Sequence, residues 1–466
     1  MRRSLAVVSV LLLLSIESPL LSGQAQSTGA TQGSTSAESS SAVSTNPMLD
    51  LLKSPKAGTR AKAARELGKA QDPTTVPALA DALSDPSDKV RREVIIALAQ
   101  IHQPDSLEAL IKATRDTDDE CRVLAVQSLV GYYTGTVPTA GFGGFVKKNW
   151  DRAKEHFNAD TTRINPGVPV DPKVIAALDS TLNGAGSNRA SQEAAKGLGI
   201  LVAESAVPDL VRSAHSSDVP LSLESLNALS KIKDRSAGPQ LVDLIDSPNK
   251  DVKQQAAVTV GILRTESAAP KLQSMFENDP DPKDDENALE GLAYIGNPAS
   301  EPVFIKALSS VDKAIRTSAA EGLARTGDPK ALTAVENALT VEKDADVKLA
   351  LEFAVTAMGK LDYLTTLLNE LTSRTRSDVA QSYLIELCRV PGFLPKLYPY
   401  LQSPNAGIRK GLCAVLMYGG DQTSLDQLDR LSHDPSGDVA AAALRAKQGL
   451  RTRLGAAAAA PSSPGH

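Results

Sequence analysis

The sequence predicts an all-α solenoid, an array of about twelve helical hairpins stacked side by side with no single core, and three observations predict it. The first is a fixed period. An apolar anchor at Leu67 returns at Leu98 and Leu129 and, after one long step, at Leu198, Leu229, Val260, Leu292, Leu323, Val355, Leu387 and Leu416, with Lys447 in a degenerate last copy. All steps fall between 29 and 32 residues except one of 69, and a period of that size is the mark of a repeat architecture. The second is composition. Aromatic residues make up only 3% of a chain that is 42% hydrophobic, so Ala and Leu must carry the packing, as they do where helices approach closely. The third is punctuation by proline at constant offsets from the anchor, which divides each unit into two helices.

Taken from the N-terminus, Arg2 and Arg3 precede an apolar run from Leu5 to Leu14, with Gly23 and Ala25 at the −3 and −1 positions of a cleavage site. Residues 1–25 therefore read as a signal peptide, which implies export to the periplasm or beyond the cell. The run is shorter than the roughly 20 residues a membrane span needs. An uncleaved N-terminal anchor is the other reading of this segment. No cysteine stands near the cleavage region to take a lipid. Residues 26–46 are Ser, Thr, Gly, Ala and Gln with few apolar side chains, a composition expected of a disordered linker. Repeats are expected over 47–130 and 171–454, an insertion over 131–170, and a disordered tail over 455–466.

Within each unit, an apolar residue eight before the anchor (Val90, Val252, Ile315, Val347, Val379, Ile408, Val439) and an alanine four before it (Ala63, Ala125, Ala194, Ala256, Ala288, Ala319, Ala443) share one helical face with the anchor. Proline twelve before the anchor, at Pro55, Pro86, Pro248, Pro280, Pro404 and Pro435, separates this second helix from a first. Proline about 21 before it, at Pro77, Pro208, Pro239, Pro270 and Pro302, suits the first turn of the first helix. Asp88, Asp119, Asp251, Asp346, Asp378 and Asp438 stand where an N-cap is expected. A basic residue seven before the anchor recurs at Arg60, Arg91, Arg122, Lys253, Arg316, Lys348 and Arg409, replaced by Ser191, Ser222, Asp285, Ala380 and Ala440 in other copies.

The run Asp88 to Arg91, its echo Asp119 to Arg122, and the Ala-x-x-x-Leu that follows resemble HEAT repeats, in particular the short variety named after phycobilisome lyases. The resemblance covers roughly residues 47–450. It implies a right-handed α-α superhelix of the HEAT and armadillo-like kind, in which the recurring Arg and Asp tie adjacent repeats into a ladder. Such an array offers an extended concave wall and no closed pocket.

The long step hides about 38 extra residues holding six of the chain's aromatic side chains: Tyr132, Tyr133, Phe142, Phe145, Trp150 and Phe157. From Phe142 to Phe157 the apolar residues fall at helical spacing, with Lys147, Lys148 and Arg152 around them. These nine residues are the candidate partner-binding set. One reading has the stripe folding back to cap the solenoid; the other has it docking on a partner, since aromatics and Arg make good anchors. Further on, Pro391, Pro395 and Pro399 predict a short or distorted first helix.

A net charge of −5 and the signal for export both argue against nucleic acid as a partner. The five histidines have no ligand spacing, and Cys121, Cys388 and Cys413 form neither a metal motif nor a complete disulfide set, so they read as small buried hydrophobes. No nucleophile, metal or cofactor motif is present. The sequence thus predicts a non-catalytic exported scaffold that holds protein partners and uses no cofactor. The alternatives are a phycobilisome-lyase-like or chaperone-like accessory subunit, implied by the family resemblance, and a peripheral envelope protein resting on lipid.

Overall fold

The repeat unit expected from the period appears as a first helix, a tight turn and a second helix, twelve times over among the described residues. The computed structural model describes residues 47–136, 163–164, 168–184, 188–279 and 281–459, the side chains of 188 and 456–459 excepted. All lie in one compact unit, Asn46–His466. In order, the hairpins are α1 Pro47–Leu51 with α2 Ala57–Ala70, α3 Val76–Ala82 with α4 Asp88–Ile101, α5 Pro104–Ala113 with α6 Asp119–Thr134, and α7 Pro172–Leu182 with α8 Asn188–Ile200. They continue with α9 Val207–Ala214 and α10 Val219–Ile232, a 3-10 helix Arg235–Asp246 and α11 Lys250–Ile262, α12 Ala269–Asn278 and α13 Pro282–Ile295, and α14 Glu301–Ala307 and α15 Lys313–Thr326. The last four are α16 Leu332–Val341 with α17 Ala345–Ala357, α18 Leu364–Glu370 with α19 Ser377–Leu387, a 3-10 helix Leu394–Gln402 with α20 Ala406–Gly419, and α21 Ser424–Leu431 with α22 Gly437–Ala459. No strand occurs among the described residues.

Two first helices are 3-10, and each contains a proline in its interior, Pro239 and Pro399. A missing N–H and a ring that clashes with the preceding turn account for both. Elsewhere Pro77, Pro208, Pro270 and Pro302 occupy the first turn of a first helix, where no hydrogen bond is lost. The final helix runs on to Ala459, beyond Gly455, through alanines of high helix propensity.

The anchors and the alanines four residues before them are buried in every copy that carries them, Lys447 excepted. Successive second helices touch backbone to backbone because the residue after the anchor is small. A Cβ at Gly261 would lie 2.5 Å from the Cα of Gly291 on the next second helix, and one at Gly68 or Gly199 would lie 2.6 Å from the Cα of Ala97 or Ala228. The three cysteines are free; Cys121 and Cys413 are buried, and burial pushes all three thiols up to about 12.

Neighbouring repeats are clasped by the predicted ladder, with different carboxylates from those expected. Arg91 Nε and Nη2 donate to both oxygens of Asp116 at 2.7 and 2.8 Å, and Arg409 makes the same pair with Asp434. Arg60 bonds Asp85, Arg316 bonds Glu342 and Lys253 bonds Asp279. The arginines also reach back to a carbonyl of their own turn: Arg91 Nη1 donates to Asp85 O at 2.9 Å and Arg122 Nη1 to Asp116 O at 2.7 Å. In two copies without the base, Ser191 Oγ donates to Thr181 O and Ser222 Oγ to Ala214 O, so a side-chain link within the repeat survives.

The ladder carboxylate stands two residues before the N-cap, and its oxygen also accepts the cap residue's own N–H, as Asp116 does from Asp118. The caps themselves are Asp118, Asn249 and Asp344, one or two residues earlier than the aspartates expected from the sequence. Asp119, Asp251 and Asp346 sit inside the first turn, where a carboxylate meets the positive end of the helix dipole.

Each second helix that closes on a left-handed residue does so four positions after its anchor in most copies. Glycine fills this place at Gly296, Gly327 and Gly359, whereas Gln71, His102, Val202, Lys233 and Arg264 hold φ between 52° and 63° there. Across the insertion the array is continuous, since α6 packs on α8. The segment that re-enters is pinned at two points: Ile164 N donates to Ile200 O and Asp171 N to Tyr133 Oη, each at 3.0 Å.

Candidate functional site

Some polar side chains of the second helices stand off the apolar stripe and reach one another across repeats. Near the end of α15, Arg325 donates from Nε and Nη2 to the two oxygens of Glu386 on α19, at 2.8 and 3.0 Å, and from Nη1 to Glu321 at 3.1 Å. Its guanidinium also lies 4.6 Å from the ring centre of Tyr294 on α13. Tyr383 on α19 returns the link, its hydroxyl donating to Glu321 at 2.6 Å while its ring stacks on Phe353 of α17 at 4.3 Å. Side chains on α13, α15, α17 and α19 are thus joined in one network. Only 7% of the Arg325 side chain is exposed. Burial would lower its pKa, but Glu386 and Glu321 outweigh burial and hold it well above the usual value.

Beside this network two distant stretches of the array face each other. Residues between 163 and 205, with Lys233, form one wall of a cleft of about 1260 Å³, and residues between 378 and 453 form the other. Its polar lining carries Arg163, Lys233, Arg389 and Arg453 against Asp179, Glu204 and Asp378. The apolar lining comes from Ile164, Val170, Ile175, Leu201, Ile385 and others. The cleft is open to solvent rather than closed, and it forms because the array brings its fourth and fifth hairpins opposite its last three.

Arg453 is fixed on the end of α20, with Nε donating to Met417 O at 3.2 Å and Nη2 to Gly420 O. Arg389 is exposed and donates no side-chain hydrogen bond to a described residue. Arg264 is half-buried, and that burial together with Arg389 nearby pushes its guanidinium below the usual range, against the pull of Glu386. Arg235 and Arg325 add to the crowding. In a chain of net charge −5, this is a local concentration of positive charge. On the opposite wall, burial and the neighbouring carboxyl of Asp209 push Asp179 up to about 6.

The family description "HEAT repeats" matches residues 45–130, 221–283 and 269–356, within which the ladder pairs and the hairpins described above recur. The chain is a HEAT-repeat protein. No curated relative matches it. Among solved structures, the HEAT array is similar to the complex of CpcE and CpcF of phycocyanin lyase from Nostoc sp. PCC7120, at 18% identity over 55% of this chain and 94% of that one, with a TM-score of 0.35. It is similar to importin beta at 14% identity over 86% and 62% of the two chains, TM-score 0.42. It is also similar to human deoxyhypusine hydroxylase in complex with glycerol, at 21% identity over 53% and 83%, TM-score 0.26. At these scores none of the three bears on what this HEAT protein binds or does.

Of the residues singled out in the sequence, Tyr132 and Tyr133 lie in the described part of the HEAT array. Both are half-buried. Tyr132 stacks on His102 of the preceding repeat, ring centres 4.2 Å apart, and Tyr133 accepts from Asp171. Phe142, Phe145, Lys147, Lys148, Trp150, Arg152 and Phe157 lie outside the described residues. The sequence reading passed over Arg264, Arg325, Glu386 and Arg389. One signal pointed to the bases: Lys231, Arg325 and Arg389 stand two residues after an anchor, and Lys233 and Arg264 four after, off the buried stripe. Among the described residues no group of three or more His, Cys, Asp or Glu is placed to hold a metal ion. No described helix is long and apolar enough to cross a membrane.

Proposed function

We propose that this HEAT-repeat protein is an exported, non-catalytic scaffold that holds protein partners. The observation that carries this reading is the continuous stack of twelve second helices with a cleft of about 1260 Å³ opening beside it. A cleft of that size exceeds the 300–1,000 Å³ range typical of small-molecule sites and suits a segment of another chain. Export rests on the charged and apolar pattern of residues 1–25. The aromatic and basic residues between 137 and 162 supply the second contact element.

The test is affinity capture from an envelope extract with the purified full chain and with a version lacking 137–162, which leaves the residues of the Tyr133–Asp171 and Ile164–Ile200 bonds in place. A specific protein retained by the full chain, and lost or weakened in the shortened one, is the expected result. A full chain that retains no protein above background overturns the scaffold reading. Mass spectrometry of the exported protein checks the N-terminus, expected after residue 25; a chain confined to the cytoplasm contradicts export.

A further inference from the structure

Arg389 lines the cleft and Arg264 lies near it, outside the lining; neither guanidinium donates a side-chain hydrogen bond to a described residue. Arg453 stands on the same wall as Arg389, and Ile385 and Tyr418 line that wall with them. Planar guanidiniums match carboxylates in paired hydrogen bonds, and crowding them together is unfavourable until an anion enters. We propose that this part of the cleft binds an acidic peptide segment, whose carboxylates sit on Arg264, Arg389 and Arg453 and whose apolar side chains sit on Ile385 and Tyr418.

The assignment rests on the scaffold reading and gives the partner's chemistry. Its test uses fluorescence anisotropy with the full chain and two labelled peptides: one alternating Glu and Leu over about a dozen residues, a length on the scale of an extended peptide ligand, and the same peptide with Gln for Glu. Inorganic phosphate serves as a competitor. The acidic peptide is expected to bind at least about tenfold more tightly than its Gln counterpart, and to weaken with added salt. The Arg264→Gly/Arg389→Ala variant is expected to lose about tenfold in affinity while its melting temperature holds or rises, since glycine relieves the backbone at 264. Loss of binding there is not a loss of fold.

Equal binding of the two peptides, or acidic-peptide binding unchanged in the variant, overturns the site. Phosphate that displaces the peptide at equal concentration also overturns it, because the pocket is then selective for small anions. If acidic peptides fail while the full chain still captures a partner through 137–162, the site falls and the scaffold reading stands. If nothing is captured and no peptide binds, both fall.

Discussion

Arg325 holds Glu386 from two repeats away, Nε to Oε2 at 2.8 Å and Nη2 to Oε1 at 3.0 Å, while α17 lies between their helices in the chain. The pair bridges two repeats, and its charges are largely withdrawn from water. Removing one partner leaves the other buried and uncompensated, so Glu386→Gln or Arg325→Ala is expected to destabilise by about 3 kcal/mol. Urea unfolding followed by circular dichroism measures it. A loss under about 0.5 kcal/mol would place the pair with ordinary surface ion pairs and contradict its structural role.

Glycine to alanine within a helix ordinarily stabilises, by ~1 kcal/mol. At Gly261 the sign is expected to reverse. The added methyl meets the Cα of Gly291 at 2.5 Å and its carbonyl oxygen at 2.6 Å, and neither helix backbone has room to yield. Gly261→Ala should cost about 2 kcal/mol, in the range of overpacked cores. Gly58→Ala, at a helical position with nothing within 4 Å, is the control and should be neutral or stabilising. Matched thermal melts of the two variants decide the point.

The left-handed residues give a prediction of opposite sense. Replacing Lys233 or Arg264 by glycine releases strain and should stabilise by ~1 kcal/mol each. Denaturation midpoints of the single variants check it, and a destabilised Arg264→Gly would show that its side chain contributes more to the fold than its backbone strain removes.

The dependence of stability on pH has two limbs. Burial, with Glu321 beside it, pushes Glu290 up to about 7, and burial, with Glu370 beside it, does the same to Glu352. Their usual value is 4.5, so the folded chain binds protons more readily than the unfolded one between the two pH values. That contribution is complete below about pH 4.5 and is lost as pH rises through about 7. Glu342 runs the other way. The hydrogen bond from Arg316 holds it down to about 2, so its contribution is present above pH 4.5 and lost as pH falls toward 2. Melting temperature should therefore peak near pH 5, set by the overlap of the two limbs, and decline toward pH 8. The Glu290→Gln/Glu352→Gln variant should flatten that decline, and a wild-type profile already flat from pH 5 to 8 would contradict it.

Much of the architecture was legible because the repeat writes the same information twelve times. The anchor, the alanine four before it and the prolines fix where each helix begins, ends and buries its face, and all depend on local periodicity. The ladder was legible in part. Arg91 and Arg409 stood out by recurrence, but their partners Asp116 and Asp434 compete in the sequence with nearby aspartates, and only the turn geometry decides which oxygen the guanidinium meets.

The cleft was not legible at all. Ile175 and Ile385 come to line one space because small rotations between repeats add up over six hairpins, and no single repeat encodes the sum. Tyr132 and Tyr133 look like docking residues by type, yet each already has an intramolecular use, against His102 and Asp171. A sequence gives the character of a side chain more readily than its surroundings.

The clasp between repeats has a direction. Arg60, Arg91 and Arg409 each give a guanidinium forward and receive nothing from behind through the same group, while Asp85, Asp116 and Asp434 wait 25 residues on with the complementary half. Any hairpin with both halves fits any other, in one order only. Tandem duplication of such a stretch in the gene would yield a longer protein whose new joints already match, so the length of the array is free to evolve while its joints stay fixed.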